Sequence, residues 1–315
     1  MKIPVLIVMS LFTQWQVYAQ HRGKDSVLMF CYFINNGEDG LHLAYSKDAY
    51  KWTTLYHESA ILKPLAGYDK LMRDPCIMKG PDGLFHMVWT AGWNEKGIGY
   101  ATSRDLIHWS AQQYLPVMES EKDALNCWAP EIIYEASKKQ YMIYWATSIP
   151  GRFPDGDTSD EGKYNHRIYY STTKDFKKFS PATILYDKGF SVIDATIRKE
   201  KNFYIMFLKN ETLKPFPEKN IRLATSKHLT YGYSEPSASI TGEYWAEGPT
   251  AIKWKGQWIV YFDKYREHTY GAVVSRDLKK WKDISGQLDF PPAARHGTIF
   301  TISNNDLERI KSALP

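Results

Sequence analysis

The stretch ATSRDLIHW at residues 101–109 is the clearest copy of a short phrase that recurs along the chain. In it a strand-like run ending in Ser or Thr is followed by a basic residue, an Asp and then an aromatic residue. The other copies are AYSKDAYKW (44–52), STTKDFKKF (171–179), ATSKHLTYGY (224–233) and VVSRDLKKW (273–281). The Asp, or the His that replaces it in one copy, lies at positions 48, 105, 175, 228 and 277. A repeat of this length predicts the blades of a β-propeller.

Each repeat unit contains four strand-like runs. The second unit shows them best, with RDPCIM (73–78), LFHMVWTAG (84–92) after the turn signal PDG (81–83), GIGYATS (97–103), and a last strand opening at Trp109. The later units open at WAPEII (128–133), VIDATI (192–197) and EGPTAI (247–252). Four short antiparallel strands of this kind make one blade.

The first unit lacks such an opening run, because it enters directly at SVLMFCYFI (26–34), which matches the second strand of the other units. The missing innermost strand can come from HGTIFTI (296–302) near the C-terminus. This closure would remove free sheet edges that invite aggregation. The sequence therefore predicts an all-β fold, a five-bladed β-propeller closed by N- and C-terminal strands in one blade, with residues 20–315 as a single domain.

The composition supports a large folded domain and argues against a nucleic-acid partner. Of the 315 residues 43% are hydrophobic and 24% charged, and the 11 Trp and 22 Tyr suit both β-strands and the flat stacking surfaces of sugar-binding clefts. The 40 basic and 35 acidic residues are scattered, without a dense basic run that could follow a phosphate backbone. The three cysteines, Cys31, Cys76 and Cys127, allow at most one disulfide, and we expect buried thiols.

The N-terminus has the pattern of a secretory signal peptide. Lys2 precedes the apolar run 4–12, and Val17-Tyr18-Ala19 precedes Gln20. We therefore expect residues 1–19 to be removed after Ala19 and the protein to be periplasmic or secreted. The apolar run is too short to serve as a membrane span.

Acidic residues lie near the starts of four successive innermost strands. They are Asp74, Glu131, Asp194 and Glu247, and His296 holds the corresponding place in the closing blade. Innermost strands of a propeller converge on its axis, so these side chains are expected to meet at one mouth of the central funnel. Hydrolysis of a glycosidic bond needs one carboxylic acid and one carboxylate, and their separation decides the stereochemistry. A third carboxylate near the acid would raise its pKa by like-charge repulsion.

These motifs carry a family resemblance over nearly the whole chain after residue 20. In the order RDP, WAPE, ID-x-x-I and EGPT, at blade-length spacing, they resemble glycoside hydrolase family 43. The resemblance implies that Asp74 is the general base, that Asp194 tunes the pKa of the acid and orients it, and that Glu247 is the general acid, in a single displacement with inversion. Two features depart from the family pattern: a three-strand segment precedes the RDP motif, and Ala195 stands where the family often has Pro.

Further residues are candidates for binding the substrate. They are Arg73, Trp93, Trp128, Glu131, Lys209, Glu211, Trp245 and Arg295. Arg73 and Arg295 could instead form structural ion pairs, and Trp128 could pack beneath the site. His296 resembles the axial histidine of the family, which implies a possible structural Ca²⁺ on the propeller axis, although Ca²⁺ prefers several oxygen ligands. We expect no required cofactor, a carbohydrate substrate and a monomeric protein.

The resemblance favours an exo-acting glycosidase that removes terminal furanose or pentose residues, above all α-L-arabinofuranosyl groups, from plant-type glycans. β-Xylosidase, β-D-galactofuranosidase, β-galactosidase and endo-arabinanase activities remain open, because a fold does not determine its substrate. A non-catalytic carbohydrate-binding propeller is a further alternative. A retaining fructan hydrolase would be expected to carry an N-terminal WMNDPNG-like motif, which the chain lacks, and a phosphorylase would need basic residues around a phosphate beside the acid.

Overall fold

A computed structural model describes residues 26–153 and 164–314. Within these residues the strands form five sheets, one for each blade. Blade 1 contains β19 (Thr298–Ser303), β1 (Ser26–Tyr32), β2 (His42–Ser46) and β3 (Thr53–Thr54), and blade 2 contains β4 (Arg73–Lys79), β5 (Phe85–Thr90), β6 (Ile98–Ser103) and β7 (Gln113–Leu115). Blade 3 contains β8 (Trp128–Glu135), β9 (Gln140–Ser148), β10 (His166–Thr173) and β11 (Thr183–Tyr186), and blade 4 contains β12 (Val192–Glu200), β13 (Phe203–Asn210) and β14 (Asn220–Ser226). Blade 5 contains β15 (Glu247–Trp254), β16 (Gln257–Lys264), β17 (Thr269–Ser275) and β18 (Lys282–Asp283). The predicted all-β, five-bladed propeller is confirmed.

The recurring phrase forms the turn that follows the third strand of a blade. In blade 2 the hydroxyl of Ser103 accepts hydrogen bonds from the backbone N–H groups of Asp105 and Leu106, and the Asp105 carboxylate accepts from those of Ile107 and His108. The residue after the Asp has a positive φ, as at Leu106 (68°). Short polar side chains that satisfy the backbone in this way stabilise tight turns. Blades 1, 3 and 5 repeat the arrangement, which explains why the phrase recurs.

The two ends of the described chain close the ring. β19 pairs antiparallel with β1 in a register that runs from Ser26 opposite Ser303 to Cys31 opposite Thr298. A helix, α1 (Asn304–Ala313), follows β19 and is capped by the side chain of Ser303. The C-terminal innermost strand predicted from 296–302 is therefore confirmed.

The hydrophobic core is divided among the interfaces between blades. Each of five buried clusters combines side chains from two neighbouring blades; Phe207 and Val260, for example, lie in the cluster between blades 4 and 5. A fully buried side chain such as Phe207 contributes about 1.5–3 kcal/mol. Since the clusters link the blades around the axis, the innermost strands are held in fixed positions. All three cysteines are buried and free, as expected from the sequence.

Three details differ from the sequence prediction or lie beyond it. In blades 2 and 3 the outermost strand begins four residues after the aromatic residue of the phrase, at Gln113 and Thr183, and Trp109 and Phe179 themselves form isolated bridges to the third strand. In blades 1 and 5 it begins at the next residue, Thr53 and Lys282. Within the described residues, blade 4 has three strands. Its phrase carries His228 in place of Asp, and the chain continues irregularly from there to residue 246. The predicted signal peptide 1–19 lies outside the described residues. So do residues 154–163, part of the stretch 149–165 whose Gly, Asp and Pro content predicts a long polar surface loop.

Candidate active site

A β-bulge at the start of the innermost strand places the candidate acids of blades 2 to 5. In each of these blades two inner-strand residues face a single residue of the next strand. The first residue of the bulge has a left-handed backbone: Asp74 (φ 50°), Ala129 (47°), Asp194 (53°) and Gly248 (58°). Bulges redirect side chains at the rims of β structures and next to active sites. The repetition explains why short motifs mark these positions in the sequence.

The sequence suggested that the four acids occupy equivalent places, but the structure shows that they do not. Asp74 and Asp194 share the first bulge position, but Glu247 precedes its bulge and Glu131 follows its own. The structure accordingly brings Asp74, Asp194 and Glu247 into one network at the axis and leaves Glu131 apart. Holding a non-glycine residue at positive φ costs about 1–3 kcal/mol, and such strain clusters at functional sites.

His296 joins the carboxylates of blades 2 and 4. Its Nδ1 lies 3.3 Å from Oδ1 of Asp74 and 4.0 Å from Oδ2 of Asp194. Gly248 fits beneath the imidazole, since a Cβ there would lie 2.4 Å from Cγ of His296. The N–H of Gly248 donates to Oδ2 of Asp194 over 3.0 Å. The glycine of the EGP motif is therefore needed both for its positive φ and for close approach of the histidine.

Two cations hold Glu247. Nζ of Lys209 lies 3.0 Å from its Oε2, and Nη2 of Arg295 lies 3.2 Å from its Oε1. Lys209 lies in β13 and is almost fully buried, whereas Arg295 precedes β19 and is partly exposed. Charge-assisted bonds of this length fix the orientation of a carboxylate.

The electrostatics of Asp74 suit a base. Burial alone would raise the pKa of Asp74, but the hydrogen bond and charge of His296, together with Arg73 and Thr90, bring it down to about 2. For His296, burial alone would lower the pKa, but the charges of Asp194 and Asp74 raise it to about 9. Asp74 is thus ionised beside a protonated histidine at neutral pH.

The pKa values of the other two acids are shifted in opposite directions. Burial, with the charges of Glu247 and Asp74, raises the pKa of Asp194 to about 6. Burial also opposes ionisation of Glu247, but Lys209, Arg295 and His296 hold its pKa below the ordinary value. The expectation that a neighbouring carboxylate raises the pKa of the acid therefore applies to Asp194 and is wrong for Glu247 in the free site, because two cations outweigh the repulsion.

Glu131 lies between blades 3 and 4. It is 4% exposed, and its Oε2 accepts hydrogen bonds of 2.7 Å from the hydroxyls of Tyr144 and Thr196 and lies 3.5 Å from Nη1 of Arg198. These contacts, all made by Oε2, hold the carboxylate in the packing between blades 3 and 4. The structure supports a structural role for Glu131 rather than the predicted contact with substrate.

An aromatic wall flanks the site on the side of blades 2 and 3. The guanidinium of Arg73 lies 4.3 Å from the ring centre of Trp93 and donates to Oδ1 of Asn36 over 2.8 Å. Trp93 is 41% exposed and meets the edge of Trp128, whose Nε1 donates to the carbonyl of Trp93. Trp128 in turn contacts Tyr164, so both predicted tryptophans contribute to one surface. Faces of this type can stack on sugar rings.

Trp245 and Glu211 lie on the side of blades 4 and 5. The guanidinium of Arg266 lies over the ring of Trp245, 3.3 Å from the centre of that ring. Glu211 is largely buried, and its Oε2 lies 2.7 Å from Nζ of Lys209. Lys209 and Glu211 are thus engaged with each other and with Glu247, and the role predicted for them at the substrate remains a prediction.

The residues around His296 do not fit a directly bound calcium ion. Ca²⁺ takes six to eight oxygen ligands, but Asp74 and Asp194 are already engaged by Thr90, Gly248 and His296 itself. Within the described part of the chain, no group of three or more His, Cys, Asp or Glu side chains is arranged to hold a metal ion. We therefore derive no step through a metal.

Sequence reasoning missed two residues of the network. Thr90 donates to Oδ2 of Asp74 over 2.7 Å, and Oδ2 of Asp263 accepts a 2.6 Å bond from Nε of Arg295. Both lie near the C-terminal end of the second strand of their blade, where Thr90 pairs with Arg73 and Asp263 pairs with Glu247. Lys209 has the same place in blade 4. Aligning the ends of the runs MVWT (87–90), MFLK (206–209) and VYFD (260–263) could have revealed the position.

Comparison with known proteins adds the family and the fold. A family model for glycosyl hydrolases related to family 43, described as a probable glycosyl hydrolase domain, matches residues 26–308. An α-L-arabinofuranosidase of Bifidobacterium longum subsp. longum is 29% identical over 195 residues, covering 53% of this chain and 18% of that protein. The match thus spans less than a fifth of the relative's length.

Solved structures share the architecture at low sequence identity. A thermostable family-43 glycoside hydrolase has a TM-score of 0.52 at 18% identity, over 70% of this chain and 73% of that chain. An exo-β-1,3-galactanase from Phanerochaete chrysosporium, solved with β-1,3-galactotriose, has a TM-score of 0.52 at 10% identity, over 70% and 52%. At such identities the likeness establishes the fold alone. Among the described residues, no helix has the length and apolar character needed to cross a bilayer.

Proposed function

Since this chain belongs to the family of glycosyl hydrolases related to family 43, we propose that it is an exo-acting, inverting glycosidase that removes terminal furanose or pentose residues from plant-type glycans. We place the α-L-arabinofuranosyl group first, because the relative from Bifidobacterium longum is an α-L-arabinofuranosidase. Membership of the family makes the protein a glycoside hydrolase. The sugar, the linkage and the exo mode belong to the proposal.

One observation carries the mechanism: His296 lies between the carboxylates of Asp74 and Asp194, and Asp194 accepts a hydrogen bond from the backbone of Gly248, the residue next to Glu247. Asp74, ionised and held by Thr90 and His296, would remove a proton from the attacking water. Glu247 would donate a proton to the departing sugar oxygen. A single displacement with these two groups on opposite sides of the anomeric carbon inverts its configuration.

The proton for the leaving group requires Asp194. A general acid must be protonated at the working pH, and Lys209 and Arg295 oppose that at Glu247 in the free site. Asp194 takes up a proton near pH 6 and bonds to the backbone of Gly248, the residue next to Glu247. We treat the proton as shared by the pair, since interacting acids titrate together, and assign its delivery to Glu247.

The test is a panel of p-nitrophenyl furanosides and pyranosides, assayed with the wild type and with Asp74→Ala, Asp194→Ala and Glu247→Ala. We expect turnover of the α-L-arabinofuranoside by the wild type and its loss in all three variants. Release of monosaccharide alone from arabino-oligosaccharides would support exo action. A folded wild-type protein that hydrolyses neither aryl glycosides nor natural oligosaccharides would contradict the proposal and favour a carbohydrate-binding propeller.

We also propose that the protein is exported. The basic and apolar pattern of residues 1–19 supports this proposal. Expression of the full chain in a bacterial host, followed by N-terminal sequencing of the mature protein, tests it. The expected first residue is Gln20, and an intact N-terminus in the cytoplasmic fraction would contradict it.

A further inference from the structure

Glu247 lies in the middle of a row of alternating charges. In order along the row, the members are Glu211, Lys209, Glu247, Arg295 and Asp263. The successive nitrogen to oxygen distances are 2.7, 3.0, 3.2 and 2.6 Å. Each cation that holds Glu247 therefore has a second carboxylate behind it, and the outer contacts are shorter than those to Glu247.

Asp263 is built into this row by the sheet. It faces Glu247 in the register of β15 and β16 and is 1% exposed. One oxygen accepts from Arg295, whereas among the described residues its Oδ1 has no hydrogen-bond partner. Burying a carboxylate with a free oxygen is costly. The fold does not require an acid at this position, since the corresponding residues in blades 2, 3 and 4 are Thr90, Ala146 and Lys209.

The outer carboxylates change what the cations do to Glu247. A carboxylate that two cations face without competition would be ionised so strongly that it could not act as an acid. Asp263 accepts the shorter bond from Arg295, and Glu211 makes the shorter ion-pair contact with Lys209 through Oε2 while its Oε1 pairs with Lys219. Part of the positive charge of Arg295 and Lys209 is therefore neutralised away from Glu247. The shared cations still orient both oxygens of Glu247.

We propose that Asp263 and Glu211 are positioning residues, which hold Arg295 and Lys209 against Glu247 and preserve the ability of that carboxyl to take up a proton. The inference rests on the proposed function of Glu247 as the acid. Neither residue needs to touch the substrate, and for Glu211 this replaces the substrate contact predicted from the sequence.

Other charged groups face the same carboxyls and also affect their pKa values. Glu247 is faced by Asp194 from β12, Lys209 from β13, Asp263 from β16, and Arg295 and His296 from the segment before β19. Asp263 is faced by Glu247, Arg295 and His296, with Tyr270 on β17 nearby. Glu211 is faced by Lys209 at Oε2 and by the buried Lys219 at Oε1. Burial and the charge of Glu247 raise the pKa of Asp263 to about 7. The two facing carboxyls are therefore expected to titrate as a pair.

The test is a pH titration of the Glu247 side chain by ¹³C NMR in protein labelled at the glutamate carboxyl carbon, with the resonance assigned by Glu247→Gln. Glu211→Gln removes the carboxylate that Lys209 shares with Lys219 and that competes with Glu247, so the Glu247 resonance is expected to titrate about one pH unit lower than in the wild type. Asp263→Asn keeps an acceptor for Arg295 but removes the facing charge. In this variant the inflection that Glu247 senses near pH 7 is expected to disappear.

Glu267→Gln is the matched control, because Glu267 pairs with Lys264 on the surface of the same blade as Asp263, and its titration curve for Glu247 should match the wild type. Wild-type curves for Glu247 in folded Glu211→Gln and Asp263→Asn would overturn the proposal. If Asp263→Asn does not fold, Glu211→Gln decides alone. The titration needs no substrate, so absence of hydrolysis by the wild type would contradict the proposed function without affecting this result.

Discussion

Nδ1 of His296 lies 3.3 Å from Oδ1 of Asp74, in a contact that joins the closing blade to blade 2. His296 follows all other blades in the chain, and Asp74 opens the second, so the candidate base is completed only when the propeller closes. The same ring approaches Asp194 in blade 4 and rests on Gly248 in blade 5. Closure of the fold and assembly of the site thus depend on the same segment.

Replacing Asp74 tests the assignment of the base. Asp74→Asn keeps the hydrogen bond from Thr90 but cannot accept a proton from water, so kcat/KM should fall about 10²–10⁴-fold. Steady-state kinetics on the best aryl glycoside measure the effect. Asp82→Asn makes the same change in a turn of the same blade that lies outside the network, and its kcat/KM should stay close to that of the wild type. A kcat/KM for Asp74→Asn within tenfold of the wild type would show that another group is the base.

The contact between Gly248 and His296 can be separated from backbone strain. Gly248→Ala places a methyl group 2.4 Å from the imidazole at a φ of 58°, whereas Gly256→Ala meets nothing within 4 Å at a φ of 85°. Both should lose about 1 kcal/mol or more of unfolding free energy from the backbone. Only Gly248→Ala should also displace His296 and abolish turnover. Equal activity of the two variants would show that the close approach of Gly248 to His296 is not needed for turnover.

Protonation of His296 predicts how stability depends on pH. Its pKa is raised from 6.5 to about 9 in the folded protein, so the stabilisation is fully present below pH 6.5 and is lost as the pH rises through 9. Urea unfolding at a series of pH values should show this loss in the wild type and not in His296→Gln. His108→Gln, at an exposed histidine, should retain the wild-type dependence. A wild-type stability that is constant from pH 6.5 to 9 would contradict a charged His296.

The recurring turn should contribute to stability independently of the site. Asp277 accepts hydrogen bonds from the backbone N–H groups of Lys279 and Lys280, so Asp277→Ala should lower the midpoint of unfolding. Lys280→Ala, which leaves those bonds intact, is the control. Chemical denaturation measures both. An unchanged midpoint in Asp277→Ala would mean that the phrase recurs for another reason.

The sequence was sufficient for the architecture because local chemistry repeats with the blades. Ser103 and Asp105 satisfy the turn by themselves, and each copy of the phrase marks the same place in a blade. Closure by 296–302 followed from the unit that lacked an inner strand. Blade 4, where His228 replaces the Asp, is also where the strand pattern deviates most.

The site was less accessible to sequence reasoning, because long-range pairing decides it. Motif order identified Asp74, Asp194 and Glu247, but the one-residue offset of Glu247 depends on the bulge register. Glu131 lies in an equally clear motif, but its carboxylate accepts hydrogen bonds from Tyr144 and Thr196, which come from other strands. Asp263 carries no motif, and its importance emerges only from its place opposite Glu247.

The most direct test of the central claim is the configuration of the first sugar released. Hydrolysis of the preferred glycoside, followed by ¹H NMR before mutarotation, distinguishes the two anomers. With Asp74 activating water and Glu247 protonating the leaving oxygen, the product should first appear with inverted configuration. A product with retained configuration would require a covalent intermediate and would contradict the assignment of Asp74 as the base.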